Sequence, residues 1–218
     1  MPAEPQSATH LGELTVSDLL ERLASSAPIP GGGSASALAG AMGAGLVAMV
    51  ASLTVGRAEY ADAEPMATQI GSAALEVRDE LVELADRDSD AYDAVVQARR
   101  LPRETDEQKA ARSATLSQAI QLAAEIPLRT AHVAAQALEL AGQIAPIGNR
   151  NAVSDAGVAA LLCAAAVRGA ILNVRINLPY LAPDTVLRRE GPAELERLES
   201  ETLEQERAAL AAVAERLG

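Results

Sequence analysis

Asp88 occupies a position that its neighbours reserve for an oily side chain. Val77, Leu81, Leu84, Asp88, Tyr92 and Val95 advance by four, three, four, four and three residues, the spacing of one helical face, and a carboxylate interrupts it. If that face packs inward, the group either finds a donor or keeps its proton above the ordinary carboxylate range, the condition for general acid work near neutrality. A buried helix-to-helix hydrogen bond is the other reading, as is a face turned to solvent along with Asp86 and Asp90. The pattern alone leaves them open.

A glycine turn is the second candidate. Gly31-Gly32-Gly33-Ser34 follows Pro28 and Pro30, and it lacks the lysine of a P-loop and the strand and spacing of a dinucleotide fold. A glycine loop entering a helix still offers unpaired N–H groups to an anion or a polar ring, unless it is a tight turn that merely packs. Further along, positions 155, 159, 162, 166, 170, 173 and 177 share a stripe reading Asp, Ala, Leu, Ala, Ala, Asn, Asn. Asp155 and Asn173 stand roughly 27 Å apart on such a helix, too far to serve one small reaction centre within one subunit. Ser154 reads as an N-cap, and Asp155 lies where the helix dipole favours a carboxylate. Arg168 and Arg175, two turns apart, could hold carboxylates or form surface ion pairs.

Other chemistries find little support. There is no C-x-x-C or H-E-x-x-H, and the histidines are His10, in an expected disordered tail over residues 1–13, and His132, a general base or a structural group; no metal site is expected. Cys163, the one cysteine, is flanked by Leu161, Leu162, Ala164 and Ala165 and reads as a buried thiol of a reducing compartment. A cytoplasmic location fits, and the N-terminus carries no secretion signal.

These groups must be positioned by helices. Hydrophobic residues make up 49% of the 218, yet the aromatic ones are three tyrosines, so the interior must be built from Ala, Leu, Val and Ile. Period and punctuation place helices over Thr15–Ser25, Ser34–Thr54, Ala63–Ala98, Thr105–Ala141 with a kink at Pro127, and Ser154–Asn177. The last helical stretch divides at Gly191-Pro192 into 184–189 and 192–217. No strand is convincing, and the expected fold is all-α: one antiparallel bundle of long helices over residues 14–218, without a sheet. The segment from Pro28 to Val55 has no charged side chain, but its small residues at 33, 37, 41 and 45 suit a groove for another helix in a core better than a membrane span. The net charge of -12 argues against nucleic acid or an anionic membrane as a partner. Central helices so poor in bulk suggest a core completed across a homodimer interface.

Taken together, LLERLASSAPIPGGGSASALAGAMGAGLVAMVASLT (19–54), GRAEYAD (56–62), LPRETDEQKAARS (101–113), IPL (126–128) and GNRNAVSDAGVAALL followed by RGAILNVRINL resemble the cyclodeaminase/cyclohydrolase family over nearly the whole chain. That family includes the C-terminal half of formiminotransferase-cyclodeaminase and bacterial methenyltetrahydrofolate cyclohydrolases. The resemblance implies an all-helical homodimer that binds a tetrahydrofolate derivative, polyglutamylated or not, near the glycine turn. It would make or hydrolyse 5,10-methenyltetrahydrofolate, with no cofactor beyond that substrate. Asp88 matches the acid before the family's Ala-Phe/Tyr pair, here Ala91-Tyr92, and is assigned proton transfer, with Asp155 second. Gly31, Gly32, Gly33, Ser34 and Ser154 would contact substrate, and Arg57, Lys109, Arg112 and Arg175 are candidates for the glutamate tail. A cyclodeaminase role would need another protein to supply the formimino group. The reading from a different class is a helical dimer that binds folate or a protein partner without catalysis.

Overall fold

Alanine and glycine set the distance between helices in this protein. The computed structural model of the chain describes residues 10–218, and among them the regular structure is helical, without a strand. The helices are α1 (Val16–Leu23), α2 (Gly32–Thr54), α3 (Glu64–Arg100), α4 (Asp106–Ile144), α5 (Val153–Asn177) and α6 (Val186–Leu217). Cross-contacts run in opposite directions along neighbours: Gly33 meets Asp88 while Gly71 meets Ala51, and Gly32 meets Asn173 while Gly43 meets Cys163. The bundle is therefore antiparallel, with α2 against α3, α4 and α5, and α6 across α4 and α5.

The seams depend on missing methyl groups. A Cβ at Gly40 would lie 3.2 Å from the Ala166 Cβ, and one at Gly43 would lie 2.4 Å from the Cys163 Sγ. Side chains at either place would force α2 and α5 apart, at about 1–3 kcal/mol. The stripe read at 33, 37, 41 and 45 is buried through Ala41, but Gly45 has nothing within 4 Å of where its Cβ would be. Leu81, Leu84, Ile126, Ile171 and Leu195 fill the core toward the glycine turn, and Val47, Ile70, Leu138 and Ile144 fill it toward the other end.

Several boundaries differ from expectation. α6 runs through Pro192 instead of dividing there, because proline's φ suits a helix, one donor is lost, and Leu195, Leu198 and Thr202 beyond it remain to be buried. α4 likewise runs through Pro127. Ser154 is not the N-cap of α5: a 3₁₀ turn at Arg150–Ala152, held by the Asn151 N–H donating to the Asn149 side chain, starts the helix one residue earlier. Residues 1–9 of the expected tail lie outside the described residues. Residues 10–13 are tied down: Leu11 is buried and its N–H donates to Asp86 at 2.7 Å, with His10 2.9 Å from the same carboxylate. By length and composition α2 and the stretch Arg150–Tyr180 could each cross a membrane, and in this fold each has 56% of its most apolar window buried inside the bundle.

Candidate functional site

α3 delivers Asp88 to the first turn of α2, where no side chain of α2's own caps the helix. The Ser34 hydroxyl lies 3.1 Å from Asp88 Oδ2, 2.8 Å from the Ala85 carbonyl oxygen and 3.1 Å from Ser89 Oγ. It has one hydrogen for these neighbours. With Asp88 ionised, that hydrogen can turn to the carboxylate; with Asp88 protonated, Asp88 can donate to Ser34 while Ser34 donates to Ala85. Both charge states are thus hydrogen-bonded. Burial pushes the Asp88 carboxyl above its ordinary range, and the Ser34 hydroxyl and amide pull it partly back. Gly33 makes the approach possible: a Cβ there would stand 2.2 Å from Asp88 Oδ1.

Asp88 opens onto a cavity of about 360 Å³ between the glycine turn, α3, α4 and the end of α5. Tyr92, Val95 and Arg99 continue the wall from Asp88, so the stripe read from sequence reaches one turn further than Val95. Arg99 has no carboxylate partner among the described residues. Facing this wall are Asn173, Ile176, Asn177 and Tyr180. The two asparagines were visible as one face of α5, too far from Asp155 to share a centre with it; extending the α3 stripe to its helix end would have found Arg99, whereas Tyr180 lies in the 3₁₀ turn Leu178–Tyr180 beyond α5.

The sequence candidates divide cleanly. Asp88, Gly31, Gly32 and Gly33 border the cavity. Ser34 does not: it is fully buried, so within this chain it holds Asp88 and cannot touch a ligand. Asp155 and the exposed Ser154 belong to the first turn of α5, at the far end of the bundle from Asn173. Arg57 is exposed in the loop after α2, at that same end. Lys109 pairs with Asp106 at 2.9 Å, and Arg175 pairs with Glu199 on α6 at 2.7 Å. Arg112 donates to the backbone carbonyl of Arg99 at 3.2 Å, which brings it behind the cavity rim. The GNRN segment also packs at the far end, where Asn149 donates from its backbone to Thr54 and from its side chain to the Leu53 carbonyl.

A second, larger cavity of about 900 Å³ lies on the other side of α4, with Glu125, Asp184, Glu190, Glu194 and Arg197 among its walls. Arg197 pairs with Glu194 and Glu201, and His132 lies 3.3 Å from Glu194, so His132 serves this region and not Asp88. Cys163 is buried and its thiol is pushed up to about 12 by loss of water, which leaves no thiolate for nucleophilic attack near neutrality. Among the described residues no group of three or more His, Cys, Asp or Glu could hold a metal ion.

Comparison with known proteins bears on this geometry. The family model described as formiminotransferase-cyclodeaminase matches residues 15–197. A methenyltetrahydrofolate cyclohydrolase of Methylorubrum extorquens is 43% identical over 190 residues, covering 87% of this chain and 91% of that protein. The formimidoyltransferase-cyclodeaminase of Mus musculus is 32% identical over 155 residues, which span 71% of this chain and 29% of that longer protein. Among solved structures, the formiminotetrahydrofolate cyclodeaminase of Thermotoga maritima superposes with a TM-score of 0.83 at 28% identity, over 95% of this chain and 100% of that one. With its helical fold and nearly its whole length matched, the chain belongs to the formiminotransferase-cyclodeaminase family.

Proposed function

We propose that the protein is a folate one-carbon enzyme that forms or hydrolyses 5,10-methenyltetrahydrofolate, with Asp88 as the proton-transfer group. The observation that carries this reading is a half-buried carboxyl at the wall of a cavity, hydrogen-bonded in either charge state by Ser34 and raised toward neutrality by burial. In the hydrolytic direction, water adds to the amidinium carbon between N5 and N10 while the Asp88 carboxylate takes one of its protons. The tetrahedral carbon then collapses: the bond to N5 breaks, Asp88 returns the proton to N5, and the remaining hydroxyl proton leaves as the formyl C=O forms. Such a group contributes about 10²–10⁴-fold. In the cyclodeaminase direction N10 attacks the formimino carbon on N5, the N10 proton and one from the Asp88 carboxyl pass to the formimino nitrogen, and its bond to carbon breaks to release ammonia. The match to a cyclohydrolase over 91% of that relative's length favours water as the exchanged group.

Arg99 at the rim, backed by Arg112, offers a guanidinium to a glutamate or polyglutamate tail. Second-copy pairing is supported by Met42 and Met49 on one face of α2 and Val158, Leu161, Leu172 and Ile176 on one face of α5, all exposed. Ile176 also borders the cavity, so a partner seated on that face would adjoin the ligand. The assay follows the near-ultraviolet absorption of the methenyl bridge. Its loss with methenyltetrahydrofolate marks the cyclohydrolase, its growth with formiminotetrahydrofolate marks the cyclodeaminase, and no change with either overturns the proposal. Light scattering at micromolar concentration should give twice 22.5 kDa; the monomer mass alone would remove the dimer.

A further inference from the structure

Pro127 has no N–H, so the Ala123 carbonyl, four residues earlier in α4, lacks the donor that the helix would otherwise provide. Asn177 supplies one from α5. Its Nδ2 donates to the Ala123 oxygen at 2.8 Å and to the Asn173 backbone oxygen at 2.9 Å. A backbone carbonyl can only accept, so the amide is locked with its nitrogen toward these carbonyls and its Oδ1 turned away. One turn earlier, Asn173 Nδ2 donates to the Gly169 carbonyl at 2.8 Å, which fixes that amide in the same sense.

Neither side-chain oxygen has a hydrogen-bond partner among the described residues, neither is shut away from solvent, and both residues border the Asp88 cavity. Beside them Gly32 presents bare backbone, whose Cβ would lie 3.6 Å from Asn173 Nδ2. Ile29, Ile120 and Ile176 supply apolar surface around the amides. The cavity of about 360 Å³ is near the lower end for small-ligand sites, room for one ring system and not for an entire folate conjugate.

We propose that Asn173 and Asn177 are a locked pair of acceptors that reads a donor-bearing heterocycle edge, the adjacent 2-amino and N3–H groups of the tetrahydropterin, leaving Asp88 for the one-carbon bridge. This rests on the folate reading above. Two pre-oriented acceptors reject an isosteric ring without those donors, because their oxygens would lose water and gain nothing in return.

Calorimetric binding of tetrahydrofolate and of its 2-desamino-2-methyl counterpart to the intact chain tests the pair without relying on turnover. The unaltered protein should prefer tetrahydrofolate by about 10- to 100-fold. The analogue keeps N3–H, so of Asn173→Ala and Asn177→Ala, the one that removes the asparagine facing the 2-amino group should cut that preference to within about threefold of equality by weakening tetrahydrofolate alone, and the other should weaken both ligands by about fivefold or more. Asn173→Ala leaves the Ala123 carbonyl with its partner, so it serves if Asn177→Ala does not fold. A variant that leaves both affinities unchanged, or equal losses for both ligands in both variants, would overturn the acceptor role while leaving the folate reading intact. Failure of the unaltered protein to bind either ligand would overturn the folate reading and this inference with it.

Discussion

Two cavities lie back to back across α4, and they differ in almost every respect that matters to a carboxyl group. The larger, at about 900 Å³, has Glu125, Asp184, Glu190 and Glu194 in its walls, and Arg197 holds Glu194 below the ordinary carboxylate range. The smaller, at about 360 Å³, has Asp88 as its carboxylate, displaced the other way by burial. Volume and the number of acids favour the first. Proton chemistry favours the second, because a carboxyl becomes a useful acid by losing water without gaining a cation.

The sharpest way to break this contrast is to neutralise one acid on each side. Asp88→Asn should lower turnover by about 10²–10⁴-fold, while Glu194→Gln should leave it within about twofold. Thermal melts should move in opposite senses. A raised carboxyl pKa stabilises the fold below the unfolded value near 3.8 and loses that contribution as pH climbs through the raised one, so Asp88→Asn should melt higher than the parent at pH 7 and converge with it in acid. Glu194, lowered by Arg197, contributes above its unfolded value near 4.5 and loses this as pH falls; its replacement should melt slightly lower at pH 7, by under about 1 kcal/mol for so exposed a pair. Equal activity losses in the two variants would erase the distinction.

A second comparison lies within α2. Gly33→Ala places a methyl where Asp88 Oδ1 stands and should cost about tenfold or more in turnover together with about 1–3 kcal/mol of stability. Gly45→Ala meets nothing within 4 Å in this chain but sits between Met42 and Met49 on the face offered for pairing, so it should spare the Asp88 contacts and turnover far more than Gly33→Ala, and any effect should appear in the dimer mass. The smallest effect belongs to Ser34→Ala. Removing a hydroxyl that lowers the Asp88 pKa should move the acidic limb of the pH–rate profile to higher pH; a limb that stays in place would mean that Ser34 only packs.

Much of this was written in the spacing of apolar residues. The long helices and the intrusion of Asp88 into the α3 face follow from period alone, and one more turn of that face would have reached Arg99. What period cannot carry is which helix ends meet. Asn173 and Asn177 belong with Asp88 and not with Asp155, because α2 and α5 run antiparallel and bring Gly32 beside Asn173. Pro192 misled for a different reason: the lost donor is local, whereas the burial of Leu195 and Leu198 that outweighs it depends on neighbours distant in sequence. Ser34, expected at the ligand, is hidden by α3, whose Ala85, Asp88 and Ser89 no local pattern links to it.

The close seam at Gly43 and Cys163 gives the protein a built-in gauge of its own breathing. A thiol with no accessible surface can be alkylated only when the helices around it part, and the α2–α5 seam is the one its sulfur touches at Gly43, so the labelling rate of this thiol counts such openings against global unfolding. If a ligand spanning the glycine turn and the end of α5 clamps those helices together, slower labelling in its presence would register that clamp from the middle of the bundle, far from the atoms it touches.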